Sequence, residues 1–270
     1  MSTPTSQHIL RRTVRFTINT DGSISGFNTT AGKPTMTTLG RYYELQIAVQ
    51  GAPDPTTGYL LGIQEIDALV RNTLIPIITT QIHLDPSVSP HTLLPKLWST
   101  AAAKLVPTLH TVRWQLTPYH SIEMTNESRD NNTILIRQRY EFAAAHRLHT
   151  PALTDQQNAD FFGKCNNPSG HGHNYKVEPT IRVPLSILTP ELQLKIEQAV
   201  NDAIINPLDH KFLNTDCPPF DQSNEGTIPS VENITTHCYQ SLAPALENLG
   251  CTLDQITVWE TDRTSATYPA

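Results

Sequence analysis

The chain of 270 residues has room for one large domain or two of ordinary size, and at 38% hydrophobic and 16% charged it reads as a globular protein with a core of its own. A formal net charge of −6 argues against a nucleic-acid partner or an anionic membrane surface, although a local basic pocket stays open to anions. The opening stretch MSTPTSQHILRRTVRF has no apolar leader core, no run approaches the roughly 18 apolar residues of a membrane helix, and the four cysteines (Cys165, Cys217, Cys238, Cys251) form no C-x-x-C pair, which predicts reduced thiols in a cytoplasm.

In chain order, TVRFTI (13–18) and RYYELQIAVQ (41–50) read as strands. Helical spacing follows in IQEIDALVRNTLIPII and again in LLPKLWSTAAAKLV, and TVRWQLTPYHSIEM (111–124) closes the first half with extended structure. The polar stretch TNESRDNNT (125–133) predicts a linker. In the second half RQRYEFAAAH (137–146) and HNYKVEPTIRV (173–183) read as strands. Thr189-Pro190-Glu191 supplies an N-cap, a first-turn proline and an early acid, ahead of Leu192, Ile196, Ala199, Ala203 and Ile204 at helical spacing. A second helix starts near Ser230, with Ile234, Cys238, Leu242, Ala245 and Leu249 as its apolar face and Gly250 as its stop. DQITVWETD (254–262) is the closing strand.

The two halves share one order of elements, and TVRWQLTPYHSIEM lines up with ITVWETDRTSATY, Trp114 under Trp259. The reading is a tandem duplication: residues 1–126 and residues 134–270, each mixing strands and helices. A single mixed domain would have to treat the matching ends as chance.

The chemistry gathers in KCNNPSGHGHNY (164–175). On a strand, His171 and His173 point to the same face, which is how a strand offers two imidazoles to one metal. Zinc suits imidazole, and a catalytic zinc keeps three protein ligands and an open position. His146, at the end of EFAAAH, is the candidate third ligand. H-x-H by itself reads equally as two surface histidines in a glycine turn; His146 and Cys165 in the same half tip the balance to metal. In the first half the corresponding positions carry Thr20, Leu39 and Arg41, so the frame recurs without the ligands.

FAAAHRL, LTDQQNADFFGKCNNPSGHGHNYKV, PLDHKFL, SVENI and VWETD, in that order, resemble the 6-pyruvoyltetrahydropterin synthase family over residues 137–268. The first half resembles it weakly, most clearly in DPTTGYLLGIQEID (54–67), a segment that IRVPLSILTPEL replaces in the second half. The resemblance implies an α+β tunnelling fold (T-fold): in each half an antiparallel four-stranded sheet with two helices on one face, the sheets joining across subunits into closed rings. It implies Zn2+ on His146, His171 and His173. It makes Cys165 the base on the substrate side chain and Asp209 with His210 a proton-transfer pair, typically lent by a neighbouring subunit. Glu260 becomes the anchor of the pterin ring, and Glu232 belongs to a segment lining the pterin pocket.

Physical chemistry allows each role, and each has a plainer competitor. A thiol can take a carbon-bound proton if nearby positive charge lowers its pKa, yet Cys165 also reads as a buried structural thiol. An Asp–His pair can shuttle a proton near neutral pH, yet Asp209-His210 also fits a helix end. An acceptor-only carboxylate can take two pterin donors, yet Glu260 also fits an exposed strand position, and Glu232 suits a helix N-terminus on dipole grounds alone. Gln115 is read as the first-half counterpart of Glu260. Cys217, Cys238 and Cys251 carry no site reading, and Trp114 and Trp259 read as core or interface. Lys164, Arg147 and Lys211 could meet phosphates or be solvated charges.

The resemblance therefore implies a zinc-dependent lyase that converts 7,8-dihydroneopterin triphosphate to 6-pyruvoyltetrahydropterin with loss of triphosphate. The alternatives are a 6-carboxytetrahydropterin synthase, from which the five residues between Cys165 and His171 separate it, and a silent zinc-binding scaffold. The expected partners are the small pterin substrate and further copies of the chain, three two-domain chains closing a homo-oligomer, with no nucleic acid and no membrane.

Overall fold

The computed structural model describes residues 7–19, 24–25, 39–105 and 108–270. Thr20 lies outside the described residues, as do the first six residues and Val106. The chain divides into two compact units, Met1–Ile136 and Arg137–Ala270. Both mix strands and helices.

In the first unit β1 (His8–Ile18) pairs antiparallel with β3 (Arg41–Gly51) along its whole length, from His8 opposite Gly51 to Ile18 opposite Arg41. A two-residue strand β2 (Ile24–Ser25) lies on the outer side of β1, β4 (Thr108–Thr117) pairs with β3, and β5 (His120–Thr125) pairs with β4. Among the described residues β1 to β5 thus pair as four long strands and the short β2, and the four-stranded sheet expected for this half is not what forms. The stretch read as one extended segment, 111–124, is a hairpin, because Pro118 and Tyr119 turn the chain between β4 and β5. The apolar run after residue 62 is one continuous rod: α1 (Ile63–Leu69), a π-helical turn at Val70–Leu74 and α2 (Ile75–Leu84). Its buried side carries Ile66, Leu69, Val70, Leu74, Ile75 and Ile78. α3 (Pro90–Ala102) brings Leu94, Leu97, Trp98 and Ala101 onto β4 and β5. Trp114 is buried edge-on to Tyr43 with ring centroids 5.3 Å apart, and a fully buried aromatic of this size is a large part of a small core.

The polar stretch 125–133, read as a linker, carries regular structure. It folds into α4 (Asn126–Asp130), where Thr125 and Ser128 cap each other, Thr125 Oγ1 accepting from Ser128 N at 3.1 Å and Ser128 Oγ from Thr125 N at 2.7 Å. The predicted strand 137–146 forms as β6 (Thr133–Gln138) and β7 (Tyr140–His146), separated at Arg139.

In the second unit β7 pairs antiparallel with β8 (His171–Pro184), β8 with β10 (Thr252–Thr261), and β10 with β11 (Thr264–Tyr268). A short β9 (Lys211–Phe212) runs parallel to β7. A helix that the periodicity did not signal, α5 (Asp155–Phe162), precedes a 3-10 turn at Gly163–Asn166. α6 (Pro190–Val200) begins at the Thr189 cap and runs through a π-helical turn at Asn201–Ile205 into α7 (Asn206–Leu208). After a single turn α8 (Leu213–Asp216), the long α9 (Val231–Glu247) is capped by Ser230 Oγ and packs on β10 and β11. Cys238 lies wholly buried on its inner face, where burial pushes the thiol up to about 12.

The registers fix which positions of the two units correspond. Phe16 faces Tyr43 across β1 and β3, and Phe142 faces Tyr175 across β7 and β8. Leu39 and Arg41 then stand where His171 and His173 stand. On the next strand Trp114 faces Leu45 while Val258 faces Val177, so Trp114 corresponds to Val258 rather than to Trp259. A one-residue slip exchanges the faces of a strand: Trp114 is core, whereas Trp259 is half-buried on the opposite face with the Arg139 guanidinium 4.9 Å from its ring centroid. Leu116, not Gln115, is accordingly the counterpart of Glu260.

Candidate metal centre and active site

The site is the open end of the core-facing ridge. Alternate rungs of β7 and β8 pair Phe142 with Tyr175, Ala144 with His173 and His146 with His171. Phe142, Ala144 and Tyr175 are buried hydrophobics, and the ridge ends in the three imidazoles. Glu260, two residues after buried Val258 on β10, shares that phase and leans onto the same group. Gly170 makes the entry to β8 possible: its φ is +68°, and a Cβ there would lie 2.7 Å from the Phe212 ring and 2.9 Å from the His146 carbonyl oxygen.

His146 is fully buried. Its Nδ1–H donates to the Pro229 carbonyl at 2.7 Å, which leaves the Nε2 lone pair directed into the group. His146 Nε2 lies 3.2 Å from His171 Nε2. His173 Nε2 is buried with no hydrogen-bond partner. One nitrogen from each ring comes within 4.8 Å of the other two, and among the described residues this is the one group of three or more such side chains placed to hold an ion. Burial, opposed by the Pro229 bond and aided by the neighbouring imidazoles, pushes His146 down to about 4, and burial also lowers His171, so both rings are neutral near pH 7. The His146 Nε2 lone pair, the His171 Nε2 3.2 Å from it and the orphaned His173 Nε2 offer three ring nitrogens to one point. The donor set fits zinc.

Glu260 Oε1 stands 3.4 Å from His146 Nε2 and 3.8 Å from His173 Nε2. Tyr175 packs beneath, its hydroxyl 3.4 Å from His146 Nδ1 and its ring edge-on to His146 and His173. Burial raises the Tyr175 phenol well above its usual range, with smaller contributions from Glu260 and Cys165, so it stays protonated.

Cys165 is half-buried in the 3-10 turn after α5, and its carbonyl accepts from Leu148 N at 2.8 Å. Arg147 holds this turn: Nε donates to the Asn166 carbonyl and Nη2 to Asn166 Oδ1, both at 3.1 Å. The sequence reading gave Arg147 to substrate phosphates or solvent; its guanidinium instead ties the residue after His146 to the residue after Cys165. Lys164 and Lys211 are exposed.

Asp209 follows α7 and is anchored to the edge of β7. Its Oδ1 accepts from Ala143 N at 2.8 Å, and its Oδ2 from His210 Nδ1 at 2.7 Å. The Ala143 bond and then the His210 bond lower the Asp209 pKa. His210 has a φ of +56°, and its side chain is 82% exposed. It lines a cavity of about 490 Å³ together with Ala143, Ala144, Ala145, His173 and Asn174; Ala143, Ala145 and Asn174 alternate along their strands with the ridge residues Ala144 and His173. The His210 imidazole is therefore presented outward. Glu232 is exposed in the first turn of α9, three residues beyond the Pro229 carbonyl that holds His146.

The three imidazoles and Glu260 thus meet at one point. The Pro229 carbonyl, 83 residues from its histidine, carried no sequence signal. Tyr175 could have been found, since it continues the alternation of His171 and His173.

Residues 135–270 match the family model described as 6-pyruvoyl tetrahydropterin synthase. The chain belongs to that family of lyases. It is 36% identical over 135 residues to the human 6-pyruvoyl tetrahydrobiopterin synthase, covering 49% of this chain and 89% of that protein. It is likewise 36% identical over 129 residues to the enzyme of that name from Poecilia reticulata, covering 47% and 84%. Among solved structures, the Caenorhabditis elegans 6-pyruvoyl tetrahydropterin synthase aligns over 50% of this chain and 94% of its own, with 28% identity and a TM-score of 0.43. No helix among the described residues is long and apolar enough to cross a membrane.

Proposed function

We propose that the chain is a zinc-dependent lyase that converts 7,8-dihydroneopterin triphosphate to 6-pyruvoyltetrahydropterin with loss of triphosphate. The observation that carries the reading is the convergence of His146, His171 and His173 at the end of a buried ridge, with Glu260 beside them. The three histidines would hold zinc, which supplies Lewis-acid polarisation of the substrate's side-chain oxygens. Cys165, fixed through Arg147 and Asn166, takes a carbon-bound proton from that side chain. The Asp209–His210 pair moves protons through His210 Nε2, since Nδ1 is committed to Asp209. Glu260 accepts from the pterin ring N–H and amino donors, and Glu232 lies in the segment beside them. The outward aim of His210 supports a dyad lent to a neighbouring chain. Residues 134–270 then form the catalytic T-fold domain and residues 1–126 a degenerate copy, with three chains closing a ring in the cytoplasm. Mass spectrometry of the zinc-loaded protein's products from dihydroneopterin triphosphate tests the reaction. A pyruvoyl product with free triphosphate supports it. A 6-carboxy product assigns the sister reaction, and unchanged substrate makes the site a zinc-binding scaffold.

A further inference from the structure

Glu260 stands closer to the histidine nitrogens than a purely pterin-binding role requires. With zinc–nitrogen bonds of about 2.0–2.1 Å and zinc–oxygen bonds of about 2.0–2.2 Å, the donor atoms of a tetrahedral site lie roughly 3.3–3.5 Å apart. The distance from His146 Nε2 to His171 Nε2 is 3.2 Å, and from His146 Nε2 to Glu260 Oε1 it is 3.4 Å. Glu260 Oε1 to His173 Nε2, at 3.8 Å, is slightly longer. The carboxylate oxygen thus stands about as near to His146 Nε2 as the His171 nitrogen does, close enough that both could hold one ion.

Polarity points the same way. His146 keeps its proton on Nδ1, which donates to the Pro229 carbonyl, so its Nε2 presents a lone pair toward Glu260. An ionised carboxylate is acceptor-only. Two acceptors 3.4 Å apart, with a partnerless His173 Nε2 beside them, share no proton and call for a cation between them. The first unit shows the reverse: its counterparts of His171, His173 and Glu260 are Leu39, Arg41 and Leu116, so carboxylate and imidazoles are absent together.

Resting on the metal reading above, we infer that Glu260 is a fourth, displaceable metal ligand in the substrate-free protein. It closes the coordination position left by the three histidines and exchanges to the pterin ring's N–H donors when substrate arrives. That exchange frees the position for the substrate's side-chain oxygens only once the ring is seated. No bond of the substrate changes in this step; one metal–carboxylate bond is replaced by one metal–oxygen bond to substrate.

The test measures zinc affinity by chelator competition in substrate-free wild type, Glu260→Gln and Glu260→Asp, with His171→Ala as control. Cobalt(II)-substituted wild type and Glu260→Gln are also titrated with unsubstituted pterin and followed in the visible region. Wild type should hold one zinc, and both Glu260 variants should bind it about 10- to 100-fold more weakly, the range seen when groups supporting a metal site are removed. Pterin should alter the cobalt spectrum of wild type and leave that of Glu260→Gln unchanged. The Asp variant keeps the charge but falls short of the metal, so it separates lost ligation from lost folding. Zinc held equally well by wild type and both variants, with a cobalt spectrum indifferent to pterin, would overturn the inference and leave the three-histidine site standing. A wild type that binds no zinc, or a His171→Ala variant that binds it undiminished, would instead remove the metal reading and this inference with it.

Discussion

Replacing Asp209 by Asn separates proton transfer from architecture, because the pair's hydrogen bonds have fixed directions. In the wild type the Asp209 carboxylate can only accept, so His210 Nδ1 carries the proton facing it at 2.7 Å and Nε2 is left as the base. In Asp209→Asn the amide oxygen can still accept from Ala143 N, a bond of 2.8 Å in the wild type. The amide nitrogen then faces His210 Nδ1 and must donate to it. The imidazole is forced into the other tautomer, with Nε2 protonated and unable to accept. Losing a positioned general base costs on the order of 10²–10⁴ in rate, about 3–5 kcal/mol of transition-state stabilisation. Folding should change by less than about 1 kcal/mol, because the backbone anchor survives and the group is partly exposed. Asp209→Ala should do both kinds of damage, since it also leaves Ala143 N without its partner, at about 1–3 kcal/mol. The assay is kcat at saturating substrate, run with zinc content and the urea midpoint of each variant. Asp209→Asn with zinc bound, normal stability and kcat within about threefold of wild type would refute the proton-transfer role and make the pair a strap for the edge of β7.

Two further outcomes follow from the geometry. Cys165→Ala should keep its zinc and its fold while losing about 10²–10⁴ in turnover, because the thiol sits on the Arg147-clamped turn and not among the imidazoles; metal analysis and kcat check this, and loss of zinc would make Cys165 a ligand instead. His91, buried in α3 of the first unit, is pushed down from 6.5 to about 4 by burial and then by the charge of His120. Between pH 6.5 and 4 the unfolded chain binds the extra proton, so stability falls with pH across that window, by at most on the order of 3 kcal/mol from this residue. Above pH 6.5 the effect vanishes. His91→Gln should flatten the loss of the urea midpoint between pH 7 and 4.5, and an unchanged slope would count against the burial argument.

The sequence was most legible where one local pattern dictates one geometry. The caps at Thr189 and Ser230 start their helices as the side chains require, and the alternation from His171 to Val177 sets the face of the site residues. α5 escaped because its residues are mostly polar and its two phenylalanines, Phe161 and Phe162, are adjacent and form no apolar stripe, although Thr154 and Gln157 form a T-x-x-Q capping box that marks its start. Its inward residue is Asn158, fully buried and bonded to Thr150 N and to the carbonyls of Thr150, Leu153 and Thr154. A polar plug of that kind leaves no hydrophobic period to read. The Trp114–Trp259 match failed for another reason: two tryptophans attract an alignment by residue type, while backbone pairing obeys only register. Nothing local connects His146 with Pro229, or Arg147 with Asn166.

Tyr175 tests how much of this site is frame. It touches His146 and His173, which invites a functional role, but its counterpart Tyr43 occupies the same rung of the first unit and packs there on Phe16 and Trp114. A residue kept where the histidines are absent belongs to the ridge. The hydroxyl is 3.4 Å from His146 Nδ1, whose proton already goes to the Pro229 carbonyl at 2.7 Å, so the phenol adds little to the orientation of the ring. Tyr175→Phe should therefore bind zinc as wild type does and keep turnover within about threefold. Removing one neutral, partly satisfied hydroxyl from a fully buried position should shift stability by about 1 kcal/mol. Zinc competition and the urea midpoint read the two effects separately. Zinc affinity lowered tenfold or more, with the fold intact, would show that the hydroxyl holds His146 in its ligating pose and that the ridge is part of the metal centre.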